Sequence, residues 1–521
     1  VEDNYQPAQP EDAEEPKDAD QPESAEEPKS ADRQESADQQ AAPAAAPAGS
    51  TPVNPKDDGF WGNTITVINN IADKVLNLTL KDVKIDVSDT GDQYDWDQKG
   101  KAALSVQGKG NVEIELDGDN ELKSGAQSAG LEKTSTGKLT LKDDNKDGSL
   151  RAEGGSGGAG IGGGSGDGSG DGDGENITIK GGRVTAVGNK FGAGIGGSNG
   201  GSGKHITITG GEVTATGGDY GAGIGGGYYG SGEHITINGG TVNATGGWDG
   251  AGIGGGDGGS GENITITGGT VNAVSGQYGA GIGGGAEGSG EHITINGGTV
   301  NAVGDGHGAG IGGGSGGGSG EDITITGGTV NAVSDGHGAG IGGGAEGSGQ
   351  NIKITGGTVN ASGWAGAGIG GGVNCSGSHV TVSGAAQVTV TASKGSDWDS
   401  ADTGATIGNG GSVTEDGDLV NGEEIQADIS GLTTGYIHHI IYNLDGSIKR
   451  EWWEFARPQP NPEDPNAPAE ESNEVDLGTP LLHVETLEGD PLPFDARQQG
   501  STLRVTTDNL AARLHGTRQA L

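Results

Sequence analysis

The chain has 521 residues, 115 of them glycine, about three times the ordinary share, and the glycines cluster in GAGIGGG islands where collagen would place one at every third position. Asp and Glu outnumber Lys and Arg by 73 to 29, a net charge of −44, so electrostatics opposes nucleic acid and anionic membranes and favours a neutral, cationic or metal-bridged partner. The single cysteine, Cys375, allows no disulfide within the chain and no cysteine-based zinc cluster.

In chain order, residues 1–58 come first, with 16 acidic and 4 basic residues and the echo of EEPKDAD at 14–20 in EEPKSAD at 26–32. Too little apolar surface is present to offset the entropy of ordering, so a disordered, self-repelling acidic tether is expected. No apolar run approaches the ~20 residues of a membrane helix, so no membrane insertion is expected. The lack of Met, position 1 included, is what removal of a secretory start segment would leave, and a fragment of a longer protein would look the same.

Residues 59–413 carry a repeat. The stretch GAGIGGGDGGSGENITITGGTVNAVSGQY, from Gly250, returns with anchoring isoleucines at Ile161, Ile195, Ile224, Ile253, Ile282, Ile311, Ile341 and Ile369, spaced 34, 29, 29, 29, 29, 30 and 28 residues apart. Each repeat offers three strand-like stretches, AGIGG, ENITIT and TVNAV, each followed by glycines suited to sharp corners. Three strands and three corners in about 29 residues make one coil of a parallel β-helix, with Ile253, Ile264, Ile266 and Val271 pointing inward in a typical coil. Earlier segments, with Leu131 at the anchor position, read as looser opening coils. Residues 414–457 read as a C-terminal β cap, 458–475 as a linker and 476–521 as a small further unit cut short.

Stacked coils turn repeat positions into surface columns. Phe191, Tyr220, Tyr278, His307 and His337 lie four residues before their anchors, and Trp248 and Trp364 five before. Exposed flat rings suit the apolar face of a sugar, with Asp219, Asp249, Asp305 and Asp335 beside them as hydroxyl acceptors. Equally, the rings could shield glycine-rich corners. A second column, Glu175, Lys204, Glu233, Glu262, Glu291, Glu321, Gln350 and Ser378, repels itself unless relieved, which suggests Ca²⁺, or forms a solvated acidic edge. Calcium signals also come from Asp143, Asn145 and Asp147 before Gly148, and from Asp167, Asp171 and Asp173 in an acidic insertion; both could be solvated turns. A threonine column, Thr178 to Thr324, would suit ice binding were it not interrupted by Asn and Lys. GAGIGG recurs without a following helix, so it is no dinucleotide fingerprint.

No Lys or Arg lies between Lys204 and Lys353, so the regular coils offer no cationic group for a lyase, and repeated near-identical sites argue against one reaction centre. No enzyme is expected. The run GAGIGGG…GENITITGGTVNATGG, preceded by LTLKDVKIDVSDTGD and NELKSG…AGLEK, resembles the glycine-rich carbohydrate-binding domain-containing surface proteins of anaerobic Gram-positive bacteria, over about residues 62–415. The resemblance implies a right-handed, pectate-lyase-like β-helix, secreted or wall-associated, that binds polysaccharide or a cell-surface glycan with calcium, with the cell wall or a host surface as partner. A stalk or host-directed adhesin without glycan binding is the alternative. The chain shows no LPxTG-type sorting signal.

Overall fold

The computed structural model describes residues 59–456, except 96, 165–171, 394–402, 415–417 and 444, and beyond them five short strands, Val475–Asp476, Leu482–Glu485, Asp495–Gln499, Thr502–Thr506 and Arg513–Gly516. The tether expected at 1–58, and 458–474 of the expected linker, lie outside the described residues.

A regular coil lays down Ile253–Gly254, Gly261–Glu262, Thr265–Ile266 and Thr270–Val274. Each pairs in parallel with its equivalents in the neighbouring coils, Ile253 with Ile224 and Ile282, Val271 with Val242 and Val300. Three sheets result: a 12-stranded one of anchoring residues, a 17-stranded one from the ENITIT segments and a 13-stranded one from the TVNAV segments. The protein is a right-handed parallel β-helix with about 29 residues per coil. The period-two alternation of ITIT and TVNAV explains the core: Ile253, Ile264, Ile266, Val271 and Ala273 are fully buried, as are their counterparts along the solenoid.

The ENITIT stretch departs from the continuous strand read from its pattern. After the position held mostly by glutamate, Asn176, His205, His234, Asn263, His292, Asp322, Asn351 and His379 all have φ of 53–55°, and the strand breaks there in the coils from Glu175 to Glu321 while it runs on through Asn351 and His379. Only residue types that tolerate the left-handed region occupy this position, and their side chains form a column beside the glutamates. One glycine column is equally constrained. Gly254 has φ +136°, and a Cβ there would lie 1.9 Å from the carbonyl oxygen of Gly283 in the next coil; Gly225, Gly283 and Gly312 repeat the arrangement.

Side chains add ladders to the backbone pairing. Asn272, Asn301, Asn331 and Asn360 each donate an amide N–H to the side-chain oxygen of the asparagine one coil earlier, at 2.8 Å. At the far end Tyr436–Tyr442 adds a parallel strand beside Gln387–Ser393, and Ile448–Phe455 then closes the sheet antiparallel to it. On the inner side of this closing pair the Glu424 carboxylate accepts from the backbone N–H of Thr406 at 2.8 Å, from that of Ile407 at 3.1 Å and from the Thr406 hydroxyl at 2.8 Å. His438 and His439 stack face to face on Trp453 and Trp452, at 3.8 and 4.4 Å between ring centroids, and His439 is buried against the Thr406 hydroxyl.

Candidate functional site

The corner before each anchoring isoleucine is held by backbone hydrogen bonds that fix its register. Tyr220 donates its N–H to the carbonyl of Lys190, and His307 to that of Gln277, so each ring residue lies one coil above the ring residue before it. Asp249 donates to the carbonyl of Asp219 and Tyr278 to that of Trp248. Asp249 therefore occupies the ring position of its coil, and Trp248 stands one residue to the side. Ala365, which donates to Gly336, likewise takes the ring position beside Trp364. The seven rings thus divide: Phe191, Tyr220, Tyr278, His307 and His337 share one column, and Trp248 and Trp364 are offset from it.

Most rings in the column face each other. Phe191 and Tyr220 stack at 5.3 Å and 13°, Tyr278 and His307 at 5.3 Å and 8°. His307 and His337 meet Nδ1 to Nδ1 at 2.8 Å, one imidazole N–H donating to the other ring. This follows from the spacing, because in-register strands about 4.8 Å apart bring successive rings to stacking distance. Faces used in this way are not offered to a ligand. In the regular coils the exposed aromatic rings lie off this column: Trp248 is 60% exposed, touching Tyr278 only edge-on at 6.5 Å, and Trp364 is 37% exposed. Tyr228 and Tyr229 join them. Tyr228 packs on Phe191 and Tyr220, while Tyr229, at φ 59°, is 67% exposed. The spacing of the repeats does not mark these two, although GYYG is the only turn of its kind in the repeats.

The aspartates expected beside the rings are present and crowded. Asp219 and Asp305 are exposed, Asp335 is exposed and accepts from the Gly306 N–H at 2.8 Å, and Asp249 is half-buried. Burial first, then the Asp257 and Asp219 carboxylates, push Asp249 up to about 6. Burial and then Glu287 raise Asp257, and burial and then Asp335 raise Asp305. An acid whose pKa is higher folded than unfolded stabilises the fold while protonated; the contribution of Asp249 is full below about pH 4 and lost as pH rises through about 6. Asp249→Asn is therefore expected to match the parent at pH 4 and to exceed it by about 1 kcal/mol at pH 8, allowing for the solvent that reaches the group; thermal melts at both pH values check this.

Asp143, Asn145, Asp147 and Asp173 are the described members of the set expected to hold metal. Asp143 accepts from the backbone N–H groups of its own turn, Lys146 at 2.7 Å and Gly148 at 3.2 Å. Asn145 and Asp147 lie in the same turn, and Asp147 lines a groove with Asp143, Lys146, Lys180 and Arg183. Asp173 is paired with Lys204 at 2.9 Å and accepts from the Ser202 N–H at 2.7 Å. Asp167 and Asp171 lie outside the described residues. No group of three or more His, Cys, Asp or Glu placed to hold a metal ion occurs among the described residues. Glu233, Glu262, Glu291 and Glu321 do stack in register, with Lys204 pairing at the start of the run and Gln350 at its end.

A family model described as a beta helix repeat matches seven consecutive segments, residues 177–201, 206–228, 235–257, 264–286, 293–315, 323–345 and 352–373. Each segment runs from the ENITIT strand to the corner after the next anchoring isoleucine, so the matches follow the coils observed in the structure. The likeness is confined to the regular coils between residues 177 and 373, where it agrees with the parallel β-helix of the structure. No curated protein and no solved structure matches the chain.

Proposed function

We propose that the solenoid is a noncatalytic, extracellular polysaccharide-binding protein that meets its glycan at the offset and turn rings, Trp248, Tyr229 and Trp364. The exposure of Trp248 carries this reading: a tryptophan 60% exposed beside Asp219 and Asp249 presents an apolar face and hydroxyl acceptors together. The resemblance to glycine-rich carbohydrate-binding surface proteins supports it, as does the lack of Lys and Arg between Lys204 and Lys353 for a noncatalytic role. Calcium enters as an aid to binding through the in-register glutamates, whose mutual repulsion a divalent cation would relieve. One observation favours a second reading, a structural stalk: each stacked column ring spends at least one face on its neighbour.

A glycan array followed by titration, with calcium and with chelator, separates the two. Trp248→Ala is expected to weaken binding about tenfold, the scale of one lost aromatic contact, while leaving the melting temperature unchanged. A protein that binds no glycan in either condition would establish the stalk, and a Trp248→Ala and Tyr229→Ala double variant that binds as the parent does would overturn the assignment of binding to these rings.

A further inference from the structure

The ring column is interrupted once between two stacked pairs. Phe191 and Tyr220 stack on one side and Tyr278 and His307 on the other, and the coil between them contributes Asp249. Its place there is fixed from two directions. Asp249 donates to the coil below as Tyr220 does, and its carbonyl accepts from Ala286 as the carbonyls of Tyr220 and Tyr278 accept from Asp257 and Ser315.

Tyr220 and Tyr278 are therefore two coils apart, about 10 Å. Rings stack with centroids about 4.5–7 Å apart, so this interval admits one six-membered ring about 5 Å from each tyrosine. Among the described residues Trp248 meets only Tyr278, edge-on, and makes no ring contact with Tyr220. Beside Phe191 the neighbouring turn carries Tyr228; the equivalent turn residue beside Asp249 is Ala286, which leaves that flank open. The floor is the Asp249 carboxylate, which takes no hydrogen bond from the described residues. Asp219 and Asp257 lie close enough to act on it electrostatically, and Glu287 on Asp257 in turn. No Lys or Arg occurs between Lys204 and Lys353 in the sequence; in the corner column Lys190 lies two coils below Asp249, with its ammonium 4.9 Å over the Phe191 ring.

We propose that the interval between Tyr220 and Tyr278 takes one pyranose ring bearing a protonated amine, from a deacetylated amino-sugar polymer, with the ammonium on Asp249. This rests on the polysaccharide-binding reading and narrows it. A neutral sugar would leave the crowded carboxylates uncompensated, and a uronate would be repelled by them. An ammonium relieves the repulsion, and its charge-assisted hydrogen bond to Asp249 fixes the ring between the tyrosines.

The test uses the full chain and three hexasaccharides, of glucosamine, of N-acetylglucosamine and of glucose, titrated at moderate salt. The parent is expected to bind the glucosamine hexamer about tenfold or more tightly than the other two. Asp249→Asn, nearly isosteric, is expected to erase that preference, and Asp249→Phe, which continues the ring column, to abolish binding at this corner. Asp73→Asn, exposed between Ile65–Asn69 and Val75–Lys81 and away from the glutamate column, changes the net charge equally and is expected to keep the preference, which separates the slot from general attraction of a polycation. Equal binding of all three hexamers, or a preference that survives Asp249→Asn or is lost equally in Asp73→Asn, would overturn the inference while leaving the polysaccharide-binding reading in place. Binding of no hexamer and no other glycan would overturn both.

Discussion

Gly254→Ala is expected to destabilise the middle of the solenoid by more than about 4 kcal/mol, a large effect for one methyl group. Gly254 has φ +136°, outside the region open to L side chains, and the added Cβ would meet the Gly283 carbonyl oxygen at 1.9 Å. That oxygen cannot move aside cheaply, because it accepts the inter-coil hydrogen bond from the Gly255 N–H at 2.9 Å. Coils contact only their neighbours, so the damage divides the solenoid into two blocks. Urea unfolding should lose its single transition, and hydrogen exchange should show protection lost first in the coils on either side of Gly254. Gly200→Ala provides the contrast: its φ is +75°, but nothing lies within 4 Å of the new Cβ, so only the backbone cost of about 1 kcal/mol is expected.

These two glycines show how much of the fold was legible in the chain and where legibility stopped. The isoleucine period and the ITIT alternation identify coils, sheets and inward residues, because both follow from stacking at a fixed rise. That Gly254 is constrained and Gly200 is not depends on the distance to a carbonyl in the next coil, which no single repeat displays. The break after Glu262 had a visible signal: in eight coils the following residue is Asn, His or Asp, types that share tolerance of positive φ. The rings were found by spacing, but their use was not. An offset of one residue between Trp248 and Tyr220 is visible in the sequence, yet only the hydrogen-bond register shows that Asp249 thereby enters the column. Likewise, whether a ring presents its face or its edge follows from stacking with the ring one coil away. Tyr228 and Tyr229 escape the repeat pattern because they sit in a turn where other coils carry small, acidic or amide residues.

The end of the solenoid should be as sensitive as its middle, for a different reason. Glu424→Leu removes the carboxylate that serves the N–H groups of Thr406 and Ile407 and the Thr406 hydroxyl, three donors of the last anchoring strand. Thr406 and Ile407 are fully buried, so water cannot replace the lost acceptor without opening the end of the coil. Leaving such donors unsatisfied costs about 1–3 kcal/mol each, and a total loss of about 3 kcal/mol is expected after partial relaxation. Thr406 also contacts buried His439, which stacks on Trp452 of the closing strand, so the disturbance reaches the antiparallel strand that covers the last sheet edge. An uncovered edge in a solenoid is a template for another chain. Glu424→Leu should therefore both melt lower and self-associate with concentration, whereas Glu424→Gln, which keeps an acceptor oxygen, should recover most of the stability and remain dispersed. Melting curves and sedimentation of the two variants at matched concentrations check this; equal behaviour of the Leu and Gln variants would show that the hydrogen bonds at this position do not hold the end closed.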